Sequence, residues 1–157
     1  MTQRINFAQR SPDLFKKFLA FTNALGKSSI EEGILHLVSI RISQLNGCDF
    51  CLDMHVKQAA IYGENEQRLD QIAGWRESAL FTPRERAALT WTDILTRLPD
   101  QGVPDEVYDR VREELSEQEI ADLSFLIVSV NGWDRINIGF KTESGRSTRN
   151  EASTWPM

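Results

Sequence analysis

The residues best suited to chemistry lie within one short stretch of the sequence. The chain has only two cysteines, Cys48 and Cys51, and only two histidines, His36 and His55, which flank the cysteine pair. In a reducing compartment a structural disulfide is unusual, so two cysteines this close together indicate redox chemistry or metal binding. These four residues are therefore the candidate site.

Composition and charge restrict the cell compartment and the binding partners that we expect for this protein. Residues Met1 to Arg10 contain no apolar stretch that could serve as a signal peptide, and apolar runs such as Phe125 to Val128 are too short to span a bilayer. The 157 residues carry a formal net charge of -5, and their longest basic run is the pair Lys16-Lys17. We expect a cytoplasmic protein that binds neither nucleic acid nor a membrane.

Helix-start signals recur along nearly the whole chain, and no segment alternates between apolar and polar residues as a half-buried strand would. The sequence therefore predicts an all-α fold. The first expected helices are Asp13 to Leu25 after Ser11-Pro12, one opened by a capping box of Ser29 and Glu32 and ending at Asn46-Gly47, and one from Cys48 to Tyr62-Gly63. The later ones run from Thr82-Pro83 to Leu98, from Pro104 onwards, and from a Ser116 and Glu119 capping box to Phe140.

Length and patterning predict one domain over residues 1–140 and a polar C-terminal tail over residues 141–157. A chain of 157 residues is long enough for one buried core. Two of the predicted helices, around residues 34–45 and 120–130, are apolar on more than one face. Helices of that kind are buried in a core or between subunits, so we expect a homo-oligomer.

The predicted helix boundary places the cysteine pair where a thiol is reactive. Gly47 ends one helix and Cys48 begins the next, so free N–H groups and the positive end of the helix dipole favour thiolate over thiol. Cα atoms three residues apart on a helix are about 5 Å apart, within disulfide range. His55 shares a helix face with Cys51 and can accept the thiol proton. This arrangement predicts a redox-active dithiol.

Three other interpretations stay open on the residues alone. Cys48 and Cys51 could be inert buried cysteines, although a position at a helix start beside a histidine argues against that. The two cysteines with His36 and His55 also make a Cys2His2 set that could bind zinc. His36 could instead be a core histidine bound to a backbone carbonyl.

A short repeated sequence segment occurs in both apolar helices. The segment Asn46-Gly47-Cys48-Asp49 recurs as Asn131-Gly132-Trp133-Asp134, each time at the expected end of a long apolar helix. One hypothesis is a duplicated helix-turn-helix unit in which only the first copy kept its cysteines. The alternative is coincidence, because Asn-Gly is a common helix stop.

The segment from Leu35 to His55, with its Cys-x-x-Cys-x-x-x-His spacing, resembles the AhpD-like alkylhydroperoxidases of the carboxymuconolactone decarboxylase superfamily. The likeness continues through Trp75-Arg76-Glu77, Thr82 to Trp91 and Asn131 to Arg135, so that it covers residues 30–140. The resemblance implies an all-helical fold assembled into trimers or hexamers through buried helices. It also implies a site that needs neither a metal nor an organic cofactor.

The resemblance implies a role for each residue of the motif. Cys51 attacks the peroxide after His55 helps its thiolate to form, and Cys48 resolves the sulfenic acid as a disulfide. A dithiol donor, such as a lipoyl or thioredoxin-like protein, then reduces that disulfide. The sequence thus predicts a thiol-dependent peroxidase for organic hydroperoxides or hydrogen peroxide, with Cys51, Cys48, His55 and His36 as its catalytic residues.

Two positions depart from the family pattern. Twelve residues before Cys48 the family usually has a glutamate that relays protons with the motif histidine, and here that residue is His36. An imidazole can relay protons but cannot supply the negative charge. Phe50 stands where the best-known members have a polar residue. These changes predict a weaker peroxidase or a different substrate. The alternatives are a lactone decarboxylase, whose chemistry does not need the cysteine pair, and a non-catalytic redox-sensing or zinc-binding oligomer.

Overall fold

The structure, a computed structural model, describes residues 2–144, and in that range helices joined by loops and turns make up the fold, without a strand. The predicted all-α class is therefore confirmed, whereas residues 145–157 of the predicted tail lie outside the described residues. The helices are α1 (Phe7–Arg10), α2 (Pro12–Leu25), α3 (Glu32–Asn46), α4 (Asp49–Tyr62), α5 (Glu66–Gln71), α6 (Pro83–Thr96), α7 (Asp105–Arg112) and α8 (Glu117–Phe140), and a 3-10 turn over Ile72–Gly74 follows α5.

The predicted capping boxes of α6 and α8 are both present. Thr82 accepts a hydrogen bond from the backbone N–H of Glu85 at 3.2 Å, and the Glu85 side chain accepts from the Thr82 N–H at 2.8 Å. Ser116 and Glu119 make the same pair of bonds at the start of α8. Each cap contributes about 1 kcal/mol to helix stability, so local sequence alone sets these two boundaries.

The predicted capping box at the start of α3 is wrong. This helix follows Glu31, whose side chain makes no capping bond. Ser29 instead donates from its backbone N–H and its hydroxyl to Oδ2 of Asp122 on α8, at 2.8 and 2.7 Å. A charged carboxylate accepting two bonds outcompetes the local cap, and it ties the loop before α3 to α8.

Helix α3 lies at the centre of the fold, packed against α4, α6 and α8. Its predicted burial on more than one face is confirmed, since nine of its fifteen residues are buried. In α8, part of the apolar surface lies in the core of this chain and part does not, and burial of that second part between subunits stays a prediction. That helix buries Leu123, Ile127 and Val130 in the core but leaves Phe125 and Val128 57% and 61% exposed.

Helix α8 ends at Phe140 as predicted and runs unbroken through the Asn131-Gly132 pair, so this pair is not the helix stop that the repeat of Asn46-Gly47 suggested. A Cβ atom added to Gly132 would lie 2.7 Å from Cζ of Phe18, so the glycine allows α2 to approach α8 closely. By contrast, Gly47 ends α3 in a left-handed conformation with φ of 69°. The second segment is therefore not a helix-turn-helix copy of the first.

A cluster of charges joins α3 to α6 on the side of α3 near the 3-10 turn. Asp93 of α6 accepts from Arg41 Nε and Nη2 at 2.7 and 3.0 Å, from Arg76 at 2.6 Å and from the Trp75 indole at 3.3 Å. Three donors therefore hold this largely buried carboxylate between two guanidinium groups.

Over residues 2–144, no helix combines the length and the apolar character that crossing a bilayer would require.

Candidate active site

The cysteine pair lies at the start of α4, as predicted. Gly47 turns the chain at the end of α3, and Cys48 follows as the N-cap of α4, with its Sγ accepting from the Cys51 backbone N–H at 3.4 Å. The two Cα atoms are 5.3 Å apart, and the sulfurs are joined in a disulfide. The pair can therefore form its bond without a rearrangement of the helix.

The two sulfurs differ in their access to open space. Both cysteines are buried, at 3% exposure for Cys48 and 1% for Cys51. Cys48 lines a cavity of about 520 Å³ between the start of α4 and the end of α8, whereas Cys51 is not among its lining residues. Phe50, Asn137 and Lys141 also line this cavity. A partner thiol entering this cavity would meet Cys48 first.

His55 is buried on α4, one turn beyond Cys51. Its Nδ1 lies 3.0 Å from Oε1 of Gln58, so the neutral ring donates at Nδ1 and keeps the Nε2 lone pair free to accept a proton. Burial lowers the pKa of His55 to about 4, outweighing the bond to Gln58. The imidazole is therefore neutral near pH 7 when the disulfide is formed.

His36 is buried on α3 without a hydrogen bond to either ring nitrogen. The nearest carboxylate oxygen, on Glu32, is 3.7 Å from Nε2, and the ring packs against Tyr62 with centroids 5.1 Å apart. The alternative of a core histidine bound to a backbone carbonyl is therefore wrong. Burial lowers the pKa of His36, although Glu32 opposes the shift. Its charge would also disfavour protonation of His55, so the two rings are electrostatically coupled.

Two residues of α8 that sequence reasoning missed complete the site. Asp134 is fully buried, and its carboxylate lies within 4.8 Å of both cysteine sulfurs. Ser43 donates to Oδ1 of Asp134 at 3.1 Å, and Asn46 donates to Oδ2 at 2.8 Å. Asn137, one turn further along α8, places its Nδ2 3.6 Å from Sγ of Cys51. The dithiol is therefore enclosed by polar groups of α3 and α8.

Sequence and structure comparisons identify the family. The family model for carboxymuconolactone decarboxylases matches residues 12–93. The uncharacterized protein YdfG of Bacillus subtilis is 39% identical over 138 residues, which are 88% of this chain and 94% of that protein. The chain belongs to the carboxymuconolactone decarboxylase family.

Solved structures place this family member beside AhpD-like proteins. A protein of unknown function from Agrobacterium tumefaciens, suggested to be an AhpD-type antioxidant defence protein, has a TM-score of 0.88 at 38% identity, over 93% of this chain and 100% of that chain. The predicted resemblance is thus confirmed. The debrominase Bmp8 has a TM-score of 0.77 at 18% identity, over 92% of this chain and 78% of its own, and shares the fold alone.

The carboxyl group beside the cysteines of this family member has an unusual proton affinity. Burial raises the pKa of Asp134 to about 6, and the bonds from Asn46 and Ser43 offset that effect only in part. The neighbouring Arg135 turns away and donates to Asn131, at 2.7 Å to its side chain and 3.0 Å to its carbonyl oxygen. The carboxyl group can therefore gain and lose a proton close to neutral pH.

The Cys2His2 arrangement considered for zinc is not assembled in this family member. Within the described residues, the side chain that approaches both sulfurs is Asp134, and neither His36 nor His55 joins that group. A zinc site of the predicted composition requires all four side chains around one point. The arrangement instead suits the exchange of electrons and protons at a pair of sulfurs.

One signal in the sequence could have revealed the missing residues. Asp134 and Asn137 are three residues apart on α8 and follow its apolar stretch Phe125 to Val128, so they share one face of the helix. A carboxylate is rarely buried without a partner. This pattern could have marked a polar site on α8, although it does not say which residues face it.

Proposed function

We propose that this protein is a thiol-dependent peroxidase that reduces organic hydroperoxides or hydrogen peroxide. The observation that carries the proposal is the disulfide-forming pair at the start of α4, with a histidine one turn away and a cavity beside Cys48. A helix N-terminus stabilises thiolate, and a second cysteine within bonding distance traps the oxidised form. The similarity to the Agrobacterium tumefaciens protein, suggested to act in antioxidant defence, supports the same class.

The proposed oxidation takes two steps. His55 accepts the proton of Cys51, and the thiolate attacks the distal oxygen of the peroxide. The O–O bond breaks, Cys51 becomes a sulfenic acid, and the alkoxide leaves as an alcohol with the proton from His55. Sγ of Cys48 then attacks Cys51, and a disulfide and water form. His36, buried and unbonded, is an auxiliary site for the proton that His55 holds.

A dithiol donor completes the cycle by thiol-disulfide exchange, accepting the oxidation of the pair as a disulfide of its own. We propose a lipoyl or thioredoxin-like protein as the donor, acting in the cytoplasm, where such donors are kept reduced. Cys48 is the sulfur attacked, because it lines the cavity while Cys51 does not. A reduced lipoamide or thioredoxin, offered as the sole reductant in a peroxide assay, distinguishes the two.

The test of the proposal is the rate at which the reduced, metal-free protein loses its two thiols to one equivalent of an organic peroxide. We expect fast loss ending in the Cys48–Cys51 disulfide, abolished in Cys51→Ser. In Cys48→Ser the reaction should stop at a sulfenic acid that a dicarbonyl reagent traps. Loss no faster than that of a small free dithiol would contradict the proposal and favour a redox sensor.

The lactone decarboxylase alternative makes the opposite prediction, since its chemistry does not need the dithiol. Turnover of a lactone substrate that survives in Cys48→Ser and Cys51→Ser would support it. The disulfide at the centre of the Cys-x-x-Cys-x-x-x-His motif favours the peroxidase. Metal content measured on the purified protein tests the zinc-binding alternative.

We also propose that the protein is a homo-oligomer, a trimer or a hexamer, joined in part through α8. Phe125 and Val128 of this helix are more than half exposed. Val128 lines a cavity on the surface together with Leu98, which is also exposed. Large apolar side chains grouped in this way are typical of subunit interfaces. Sedimentation velocity on the wild type and on Val128→Lys tests the assignment, with a smaller species expected for the variant.

A further inference from the structure

The carboxyl group of Asp134 has no structural need for its charge. Within the described residues its hydrogen-bond donors are the neutral side chains of Ser43 and Asn46, and the nearby Arg135 bonds to Asn131 instead. Burying a carboxylate without a cation is costly, and a neutral asparagine, accepting from Asn46 and donating to the Ser43 hydroxyl, would be cheaper to bury. A buried carboxyl group beside two sulfurs therefore indicates a chemical role.

The geometry leaves this carboxyl group free to act on the sulfurs. Each oxygen of Asp134 accepts one hydrogen bond, which leaves lone pairs for a proton from a thiol. One oxygen lies within 4.8 Å of both Sγ atoms, a separation that side-chain rotation or one water can bridge. No other carboxylate of residues 2–144 is grouped with the two sulfurs in this way.

We propose that Asp134 is the proton-exchange group of the Cys48–Cys51 pair, taking the proton of Cys48 when the disulfide closes and donating a proton, regained from solvent, to Cys51 when the disulfide opens. The inference rests on the proposed dithiol cycle and adds a residue to it. It places the carboxyl group of this site on α8, in a chain where the family's glutamate on α3 is replaced by His36.

The steps balance in both directions. On closing, Cys48 Sγ bonds to Cys51 Sγ, the S–O bond of the sulfenic acid breaks, and hydroxide leaves. The Cys48 proton passes to Asp134 and then to the hydroxide, which gives water. On opening, a donor thiolate bonds to Cys48, the S–S bond breaks, and Cys51 leaves as a thiolate that accepts from Asn137 and takes a proton from Asp134. The second donor thiol then releases Cys48, so that two electrons and two protons are transferred.

The titration of Asp134 can be distinguished from that of the groups around it. From α4 it faces the two sulfurs, which do not titrate while they are bonded, and from α3 its hydrogen-bond donors, within residues 2–144, are Ser43 and Asn46. On its own helix the one charge acting on it is the guanidinium of Arg135. The pKa of His55, lowered to about 4 by burial, lies below the pKa of about 6 to which burial raises Asp134.

The opening step can be tested without any peroxide. We would measure the rate at which dithiothreitol reduces the disulfide between pH 5 and pH 8, divided by its rate on a small Cys-x-x-Cys peptide. In the wild type this ratio should be high at low pH and fall with a midpoint near pH 6, the pKa of Asp134. In Asp134→Asn the ratio should be about 10²-fold lower at pH 5.5 and independent of pH, as expected when a general acid is removed.

The matched control is Ser43→Ala, which removes one bond to the same carboxylate and keeps the carboxyl group. Since that bond favours the charged form, its loss should move the midpoint to higher pH while a fall with pH persists. A wild-type ratio and profile in Asp134→Asn would overturn the proposal. So would equal slowing in both variants with no change in the shape of the profile, because that pattern marks a structural bond.

Two further outcomes are decisive. If circular dichroism shows that Asp134→Asn does not fold, Ser43→Ala decides alone, and an unshifted midpoint refutes the role of Asp134. If the wild type is inert to peroxides yet shows the predicted profile with dithiothreitol, the peroxidase proposal fails and the assignment of Asp134 stands. The two proposals are therefore separable.

Discussion

Two carboxylates of this chain, Asp93 largely buried and Asp134 fully buried, face different surroundings. Asp93 on α6 is bonded to the guanidinium groups of Arg41 and Arg76 and to an indole, while Asp134 on α8 is bonded to a hydroxyl and an amide. Burial raises the pKa of Asp93, but bonds and charges from Arg41 and Arg76 outweigh it and lower the net value. Burial raises the pKa of Asp134 to about 6 against weaker opposition.

The difference between these carboxylates lies in the charge of their partners. Two cations hold Asp93 ionised at any physiological pH, so that it joins α3 to α6 permanently. The neutral partners of Asp134 fix its position but leave its proton exchangeable. In this fold a buried carboxylate is therefore structural where it is paired with cations and chemically active where it is not.

The largest effect is expected from removing the sulfur that Asp134 and Asn137 enclose. Cys51→Ser should reduce peroxide-dependent thiol oxidation to the rate of a free thiol, because the thiolate that attacks the peroxide is then absent. The measurement is thiol loss under stoichiometric peroxide, with Cys48→Ser as the control that still forms a sulfenic acid. Rapid peroxide reduction by Cys51→Ser would reverse the assigned roles of the two cysteines.

Exchanging each aspartate for asparagine should separate stability from chemistry. Asp93→Asn leaves Arg41 partly buried without its anion and should lower the free energy of unfolding by roughly 3 kcal/mol, with reduction of the disulfide unaffected in the folded protein. Asp134→Asn should slow that reduction about 10²-fold without the stability loss expected for Asp93→Asn. Urea denaturation and dithiothreitol kinetics on both variants provide the two readouts. The same ranking of variants in both readouts would contradict the distinction.

The pH dependence of stability should expose the same contrast. The folded-state pKa of Asp134 is raised from 3.8 to about 6, so ionisation of this group removes stability as the pH rises from about 4 to 6. The pKa of His55 is lowered from 6.5 to about 4, so loss of its proton in the unfolded state adds stability as the pH rises from about 4 to 6.5. Each effect is about 3 kcal/mol, and the two oppose each other.

Replacing one of the two groups should therefore reveal the effect of the other on the pH dependence of stability. In Asp134→Asn the free energy of unfolding should rise by about 3 kcal/mol more than in the wild type between pH 4 and 6, and in His55→Gln it should fall by a similar amount. Urea denaturation at pH steps across that range measures both. Since the surface carboxylates are shared by all three proteins, parallel curves would mean that neither buried group has the assigned pKa.

Local sequence predicted the parts of this structure that depend on residues close together in the chain. The capping boxes at Thr82 and Ser116 and the position of Cys48 at a helix start all rest on contacts within four residues. The failures involve distant residues. Ser29 is drawn away from its expected cap by a carboxylate 93 residues away, and Gly132 continues a helix to admit the ring of Phe18.

The candidate site likewise combines residues that are close together in the chain with residues that are distant in it. Both cysteines and His55 are visible in one motif, whereas Asp134 reaches them only because α3 and α8 pack together, with Ser43 91 residues distant in the chain. Asn137 similarly meets Cys51 across 86 residues. Helix packing decides which face of α8 points at the dithiol, and spacing within the sequence carries no information on that choice.

The smallest expected effect comes from restoring the family's glutamate at position 36. In His36→Glu a carboxylate would replace the imidazole whose charge disfavours protonation of His55, so the pKa of His55 should rise from about 4. A stronger base beside Cys51 should speed thiol oxidation by peroxide severalfold at pH 7, and the measurement is the second-order rate constant of that reaction. The control is His36→Gln, which removes the imidazole without adding charge and should leave the rate near that of the wild type. An equal gain in both variants would show that the buried imidazole itself, rather than the missing negative charge, limits the rate at which peroxide oxidises the dithiol. Asp134 would then already supply the carboxylate that the site needs.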